Sequence, residues 1–125
     1  MALELFAGIP VRDYVTAVSW YERLLGSPPT FLAHEMEAVW ELDEHRFVYV
    51  EQDPGRAGHA IVTLFVDDLD AWVAGITDRG LEPAGRETYR NGVRKVTYRD
   101  SDGNEVGLGG APLEAGTSDG STRHG

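Results

Sequence analysis

The sequence predicts an α+β domain made of two successive β-α-β-β-β modules. Two observations lead there. The chain repeats itself: Val11-Arg12-Asp13 opens a helical stretch that ends at Leu24-Leu25-Gly26, and Val66-Asp67-Asp68 opens another that ends at Asp78-Arg79-Gly80, with Val11 and Val66 55 positions apart and Gly26 and Gly80 54 apart. Each unit also has the same grammar, an alternating strand, a capping Asp, an amphipathic helix and a terminal Gly, followed by three more strand-like segments.

The first strand alternates, with Ala7, Ile9 and Val11 on one side and Phe6, Gly8 and Pro10 on the other. The first helix starts after Asp13, whose carboxylate can accept from the free N–H groups of the first turn. Val15, Val18, Tyr21, Leu24 and Leu25 recur at helical spacing, Gly26 suits a left-handed residue past the end, and Pro28-Pro29 prevents resumption. Strand segments follow at about 30–34, 36–42 and 46–51, with Asp43-Glu44-His45-Arg46 as a hairpin turn. Gln52-Asp53-Pro54-Gly55-Arg56 links the units. The equivalent strand sets Ala60, Val62, Leu64 and Val66 against His59, Ile61, Thr63 and Phe65. The second helix starts at Asp67 or Asp68, buries Leu69, Trp72, Val73 and Ile76, and closes at Gly80; Trp72 is read as core. Strands at about 82–88, 92–99 and 104–109 follow, with Asp100-Ser101-Asp102-Gly103-Asn104 as the second hairpin turn. The domain is expected over 1–112, with module one at about 3–52 and module two at about 58–110. From Glu114 onward no apolar residue occurs beyond Ala115, so 113–125 is expected to be a flexible tail.

Composition narrows the function classes. The chain has 125 residues and no cysteine, which excludes a disulfide framework, a thiolate zinc site and a cysteine nucleophile, and fits a cytoplasmic address. A formal net charge of −10 repels phosphate backbones, so no nucleic-acid partner is expected, while a cationic ligand would be attracted. No apolar run approaches the ~20 residues of a membrane span, and Met1-Ala2-Leu3-Glu4 does not open a signal peptide, so no membrane partner is expected. No serine sits in a nucleophile elbow, and no glycine run has phosphate-loop spacing.

Three stretches carry a family resemblance. Ile9-Pro10-Val11-Arg12-Asp13, Ala17 and Trp20-Tyr21-Glu22-Arg23-Leu24-Leu25-Gly26 resemble the opening module of the glyoxalase/bleomycin-resistance/dioxygenase (vicinal-oxygen-chelate) superfamily. Phe65-Val66-Asp67-Asp68-Leu69-Asp70-Ala71 is similar to the start of its second module, and Tyr98 to Val106 to its D-P-D-G-N turn, with Ser101 in place of the proline. The resemblance spans about residues 4–110 and implies two βαβββ modules forming curved mixed sheets around a cavity, each helix on the convex face, and pairing as a homodimer. Fold alone does not assign function, since this fold hosts isomerases, lyases, dioxygenases and drug-sequestering proteins.

Metal-dependent members of the family take one ligand from the first and last strand of each module. Carried over residue by residue, those positions are Phe6, Tyr49, Ile61 and Gly107. Three offer no side-chain donor for a hard or borderline divalent ion, and the fourth is a phenol. No metal and no cofactor is therefore expected there, and no catalytic residue is assigned. His59, Glu105 and Glu51, each two residues away on the same faces, are the alternative ligand or acid–base set, read first as rim residues in water; His34, His45 and His124 are read as solvated. Gly107 and Gly109 are read as making room beside a ligand. Without a metal the cavity reads as apolar and aromatic: Phe6, Phe47, Tyr49, Ile61 and Phe65, with Trp40 joining from the adjacent strand, where Ala38, Trp40 and Leu42 share a face. His59, Glu105 and Gly107 complete the expected ligand-binding set. Such a lining suits a small organic ligand, aromatic or cationic. The expectation is a metal-free small-molecule-binding protein, with antibiotic sequestration of the bleomycin-resistance type as its specific form. The alternative is an enzyme, a glyoxalase-like lyase or isomerase or a dioxygenase with a displaced metal site. A packed core with no cavity, and a regulatory or immunity partner that keeps the fold for pairing alone, are the further readings.

Overall fold

The computed structural model describes residues 3–113, so the expected tail lies outside the described residues from 114 on. The elements are β1 (Leu5–Val11), α1 (Tyr14–Leu25), β2 (Phe31–His34), β3 (Glu37–Asp43), β4 (Arg46–Gln52), β5 (Ile61–Phe65), α2 (Leu69–Asp78), β6 (Gly85–Thr88), β7 (Arg94–Arg99) and β8 (Glu105–Gly110). They form two four-stranded sheets, ordered β1-β4-β3-β2 and β5-β8-β7-β6. In each sheet the first strand runs parallel to the last and the remaining pairs are antiparallel. The internal repeat of the sequence is thus a repeat of topology.

The helix boundaries follow the capping chemistry. Asp13 accepts from the N–H groups of Val15 and Thr16 at the start of α1, and Gly26 ends it with φ of 85°. Asp68 accepts from Ala71 N–H at the start of α2. The buried stripe of α1 is Ala17, Tyr21 and Leu24, offset from the expected one: Val15 is 76% exposed, because the ~100° step per residue carries it away from Ala17.

The inner faces of both sheets feed one core. Ile9, Val11, Val48 and Val50 from the first module meet Tyr21 and Leu24 of α1, and Leu69, Ile76, Val96, Tyr98, Val106 and Leu108 contribute from the second. Each fully buried aliphatic side chain contributes roughly 1.5–3 kcal/mol by leaving water. Trp40 belongs to this core and not to the ligand face expected for it. It pairs in register with Val48, is 1% exposed, lies 6.4 Å from the Tyr21 ring, and its indole N–H donates to the Ser27 carbonyl at 2.9 Å. The residues alternating with it, Glu37 and Glu41, are charged, and burying them against α1 would cost more than burying an indole with its one donor satisfied.

Polar contacts fasten the modules to each other. The Tyr21 hydroxyl donates to Asp100 at 2.9 Å, Arg12 N–H donates to Asp102 at 3.0 Å, and Asn104 Nδ2 donates to the Pro10 carbonyl at 2.8 Å. The Arg79 guanidinium donates to the carbonyls of Arg23 and Leu24, which the end of α1 leaves without helical partners. Among the described residues no helix is long and apolar enough to cross a membrane.

Candidate functional site

Strand parity decides which side chains leave the core. With Ile9, Val48 and Val50 turned inward, Phe6, Gly8 and Pro10 of β1 and Phe47, Tyr49 and Glu51 of β4 occupy the outer face of the first sheet. On the second, Ile61, Thr63 and Phe65 of β5 share the corresponding face with Glu105, Gly107 and Gly109 of β8. Large apolar groups are left uncovered here: Ile61 is 72% exposed, Phe65 66% and Phe6 45%. Phe6 and Phe47, opposite each other in register, stack with ring centroids 4.3 Å apart and planes 7° from parallel.

Among the described residues, two concavities border these faces. A cavity of about 440 Å³ is lined by Gly8, Pro10, Tyr49, Glu51, Arg56 and His59, among others. Glycine at position 8 is a steric requirement, since a β-carbon there would sit 2.5 Å from Tyr49 Cζ and Oη; the ring lies across β1 and walls the cavity. A larger cleft, about 670 Å³, runs where the modules meet, between Leu5, Ala7 and Phe47 on one side and Leu64, Phe65 and Trp72 on the other. Trp72, read as core from its helical position, packs on the core and also reaches this cleft.

The expected site residues therefore separate. Tyr49, His59 and Glu51 share the smaller cavity, while Phe47 and Phe65 share the cleft. Ile61 faces Glu105 in register, and Glu105 is held 3.1 Å from the Arg99 guanidinium. Gly107 is buried beneath Lys95, whose Cε would lie 2.6 Å from a β-carbon at that position. The four positions that the family resemblance matches to metal ligands, Phe6, Tyr49, Ile61 and Gly107, carry a stacked phenyl ring, a phenol, an exposed aliphatic and a covered glycine, a set that does not fit a divalent ion. Nor do His59, Glu51 and Glu105 converge. Among the described residues the three acid or imidazole groups whose ligating atoms all lie within 4.8 Å are His34, Glu37 and Glu51, contributed by β2, β3 and β4. The sequence alone reads His34 as solvated and Arg56 as a linker residue, and assigns Glu37 no role. Burial pushes the hydroxyl of Tyr98 up from its ordinary pKa; that group lies in the shared core, with no hydrogen-bond partner among the described residues, and not at this site.

The family model of the Glyoxalase/Bleomycin resistance protein/Dioxygenase superfamily matches residues 5–108, nearly the whole described chain. The chain belongs to that superfamily. Among solved structures, a glyoxalase/bleomycin resistance protein from Catenulispora acidiphila is 54% identical, with a TM-score of 0.86 over 89% of this chain and 100% of that one. A bleomycin-binding protein complexed with bleomycin gives a TM-score of 0.70 at 20% identity, over 87% of this chain and 98% of that one. A lactoylglutathione lyase from Agrobacterium tumefaciens gives 0.70 at 15% identity, over 88% and 94%. No curated protein matches the sequence. Within the superfamily, then, this fold is shared by a binder and a lyase alike, and the two likenesses at low identity bear on fold alone.

Proposed function

We propose that this superfamily member is a binding protein for a small organic ligand, aromatic or cationic, gripped by aromatic side chains and not through the metal position of its enzymatic relatives, and that its specific role is antibiotic sequestration. What carries the reading is that the four positions matched by resemblance to metal ligands hold Phe6, Tyr49, Ile61 and Gly107, while the fold around them is intact. The stacked Phe6–Phe47 pair offers a flat apolar platform, and a chain of net charge −10 favours cationic ligands over anionic ones. The exposure of Phe6, Ile61 and Phe65 supports a homodimer in which the outer face of one copy closes over that of another, completing the cavity between two chains.

The test is calorimetry and thermal shift on chelator-treated protein, with bleomycin as the first probe and a broad set of aromatic and cationic antibiotics after it. Saturable binding is expected, weakened about tenfold or more in Phe6→Ala, whose exposed position leaves the fold untouched. Protection of a sensitive host should scale with the amount of protein, because occupancy and not turnover removes the drug. If no compound in the set shifts the melting curve and expression protects against none, the sequestration reading fails.

An enzymatic reading has one observation in its favour: Tyr49, Glu51, Arg56 and His59 line a single cavity, a mixture of groups able to orient a substrate and move a proton. Turnover of a glyoxalase-type substrate that Glu51→Gln abolishes would replace binding with catalysis.

A further inference from the structure

Glu37 and Glu51 stand directly opposite each other across β3 and β4. Like charges in that position repel, and the chain already carries a net charge of −10. Across β2 and β3, His34 pairs in register with Glu37, its Nε2 3.2 Å from Glu37 Oε1. An irregularity in the β2–β3 ladder between Leu32 and His34 makes this possible, since it brings the imidazole opposite Glu37 on the face shared with Glu51. One nitrogen and two carboxylate donors thus converge from three strands, all within 4.8 Å of one another.

We propose that His34, Glu37 and Glu51 form a binding site for a first-row divalent transition ion such as Zn²⁺, Ni²⁺ or Co²⁺. Imidazole selects this group of ions over Mg²⁺ and Ca²⁺, and the two carboxylates supply the compensating charge. Three protein ligands leave coordination positions open. Glu51 also lines the 440 Å³ cavity, so an ion held here would border any ligand in it. Only Glu51 comes from a strand that carries one of the four positions tested above; β2 and β3 carry none of them.

The metal-free geometry shows what binding must change. His34 Nδ1 accepts from the Met36 N–H at 3.1 Å, so the ring proton sits on Nε2, facing Glu37. Ligation through Nε2 displaces that proton to Nδ1 and gives up the Met36 bond. Both residues are exposed at the hairpin, and water can take over the released N–H. The second shell on the imidazole is then solvent, which sets an expectation of moderate affinity.

Equilibrium dialysis and calorimetry on the full chain with Zn²⁺, Ni²⁺, Co²⁺ and Mg²⁺ test the proposal without any organic ligand, so its outcome is separate from that of the sequestration reading. Expected is a single equivalent of Zn²⁺ or Co²⁺ per chain, with Co²⁺ giving a visible d–d spectrum. Affinity should fall about tenfold or more in His34→Ala and in Glu51→Gln, and stay unchanged in His45→Ala, whose imidazole lies beside Glu4 and Glu44 in the β3–β4 turn. Circular dichroism on each variant verifies that the fold is kept. The proposal is overturned if no stoichiometric binding occurs, if Mg²⁺ binds as tightly as Zn²⁺, or if His34→Ala and Glu51→Gln leave the affinity intact.

Discussion

The two hairpin turns that precede β4 and β8 occupy the same place in the repeat and do opposite things. In the first, Asp43 to Arg46, the side chains point to water: Arg46 donates to Asp43 at 2.9 Å with both side chains more than two-thirds exposed, and His45 lies beside Glu4 and Glu44. In the second, Asp100 to Asn104, two polar side chains are buried. Asn104 Oδ1 accepts from the N–H groups of Gly58 and Ala60, and its Nδ2 donates to Pro10 O and to Asp100. Every donor and acceptor of that amide is satisfied. Asp100 in turn accepts from Tyr21, from the N–H groups of Asp102 and Asn104, and from the Asn104 amide. A duplicated backbone unit therefore did not duplicate its chemistry. One turn reaches past its own hairpin to the exposed start of β1, where the His45 carbonyl accepts from the Leu5 N–H at 2.9 Å; the other uses buried side chains to join the first strand, the first helix, the linker and the second sheet.

Asn104→Ala gives the largest effect by which this contrast can be broken. It strands the Gly58 and Ala60 N–H groups and the Pro10 carbonyl in a site that is 0% exposed at Asn104, and removes a donor from Asp100. A loss of about 3–5 kcal/mol is expected in urea unfolding, since a buried network fails as a unit. A loss below about 1 kcal/mol would mean that water replaces the amide and that the turn is no keystone.

Tyr21 sharpens the comparison through pH. Burial, reinforced by the charge and hydrogen bond of Asp100, raises its pKa far above the ordinary value of 10.0. The folded state then keeps its proton where the unfolded state loses one, so this contribution is fully present below about pH 10 and declines as pH rises beyond it, by at most about 1.4 kcal/mol per pH unit. Tyr21→Phe should cost about 1–3 kcal/mol at neutral pH, because Asp100 loses a donor, and should flatten the alkaline decline of stability. An unchanged alkaline slope in the variant would show that Tyr21 ionises as freely in the fold as out of it.

The same contrast explains what could be read in advance. Both modules, their caps and their hairpins were legible because they rest on local chemistry: Asp13 and Asp68 at helix starts, Gly26 past a helix end, alternation in β1 and β5. What depended on register between strands was not. Trp40 was placed on the ligand face although its alternates Glu37 and Glu41 are the residues that belong outside, a signal the sequence did hold. The convergence of His34 with Glu37 and Glu51 could not be seen, because it needs an irregularity between Leu32 and His34 that no spacing rule announces. The Asp100–Asn104 stretch was recognised as a turn, yet its reach to Pro10, Gly58 and Tyr21 is a property of the folded chain.

The smallest predicted effect guards the comparison from the other side. Asp43→Ala removes the Arg46 partner in the first turn and the Asp43 acceptor for the Glu44 N–H. Asp43 and Arg46 are 68% and 69% exposed at the side chain, so water already screens the pair and can take over both the guanidinium and the freed N–H. His45, with φ of 66°, holds the turn in a left-handed conformation that does not depend on Asp43. A change within about 0.5 kcal/mol is expected in the same urea titration. A cost near that of Asn104→Ala would mean that the Asp43 side chain holds the first turn as Asn104 holds the second, and that the asymmetry drawn from burial and hydrogen bonding is mistaken.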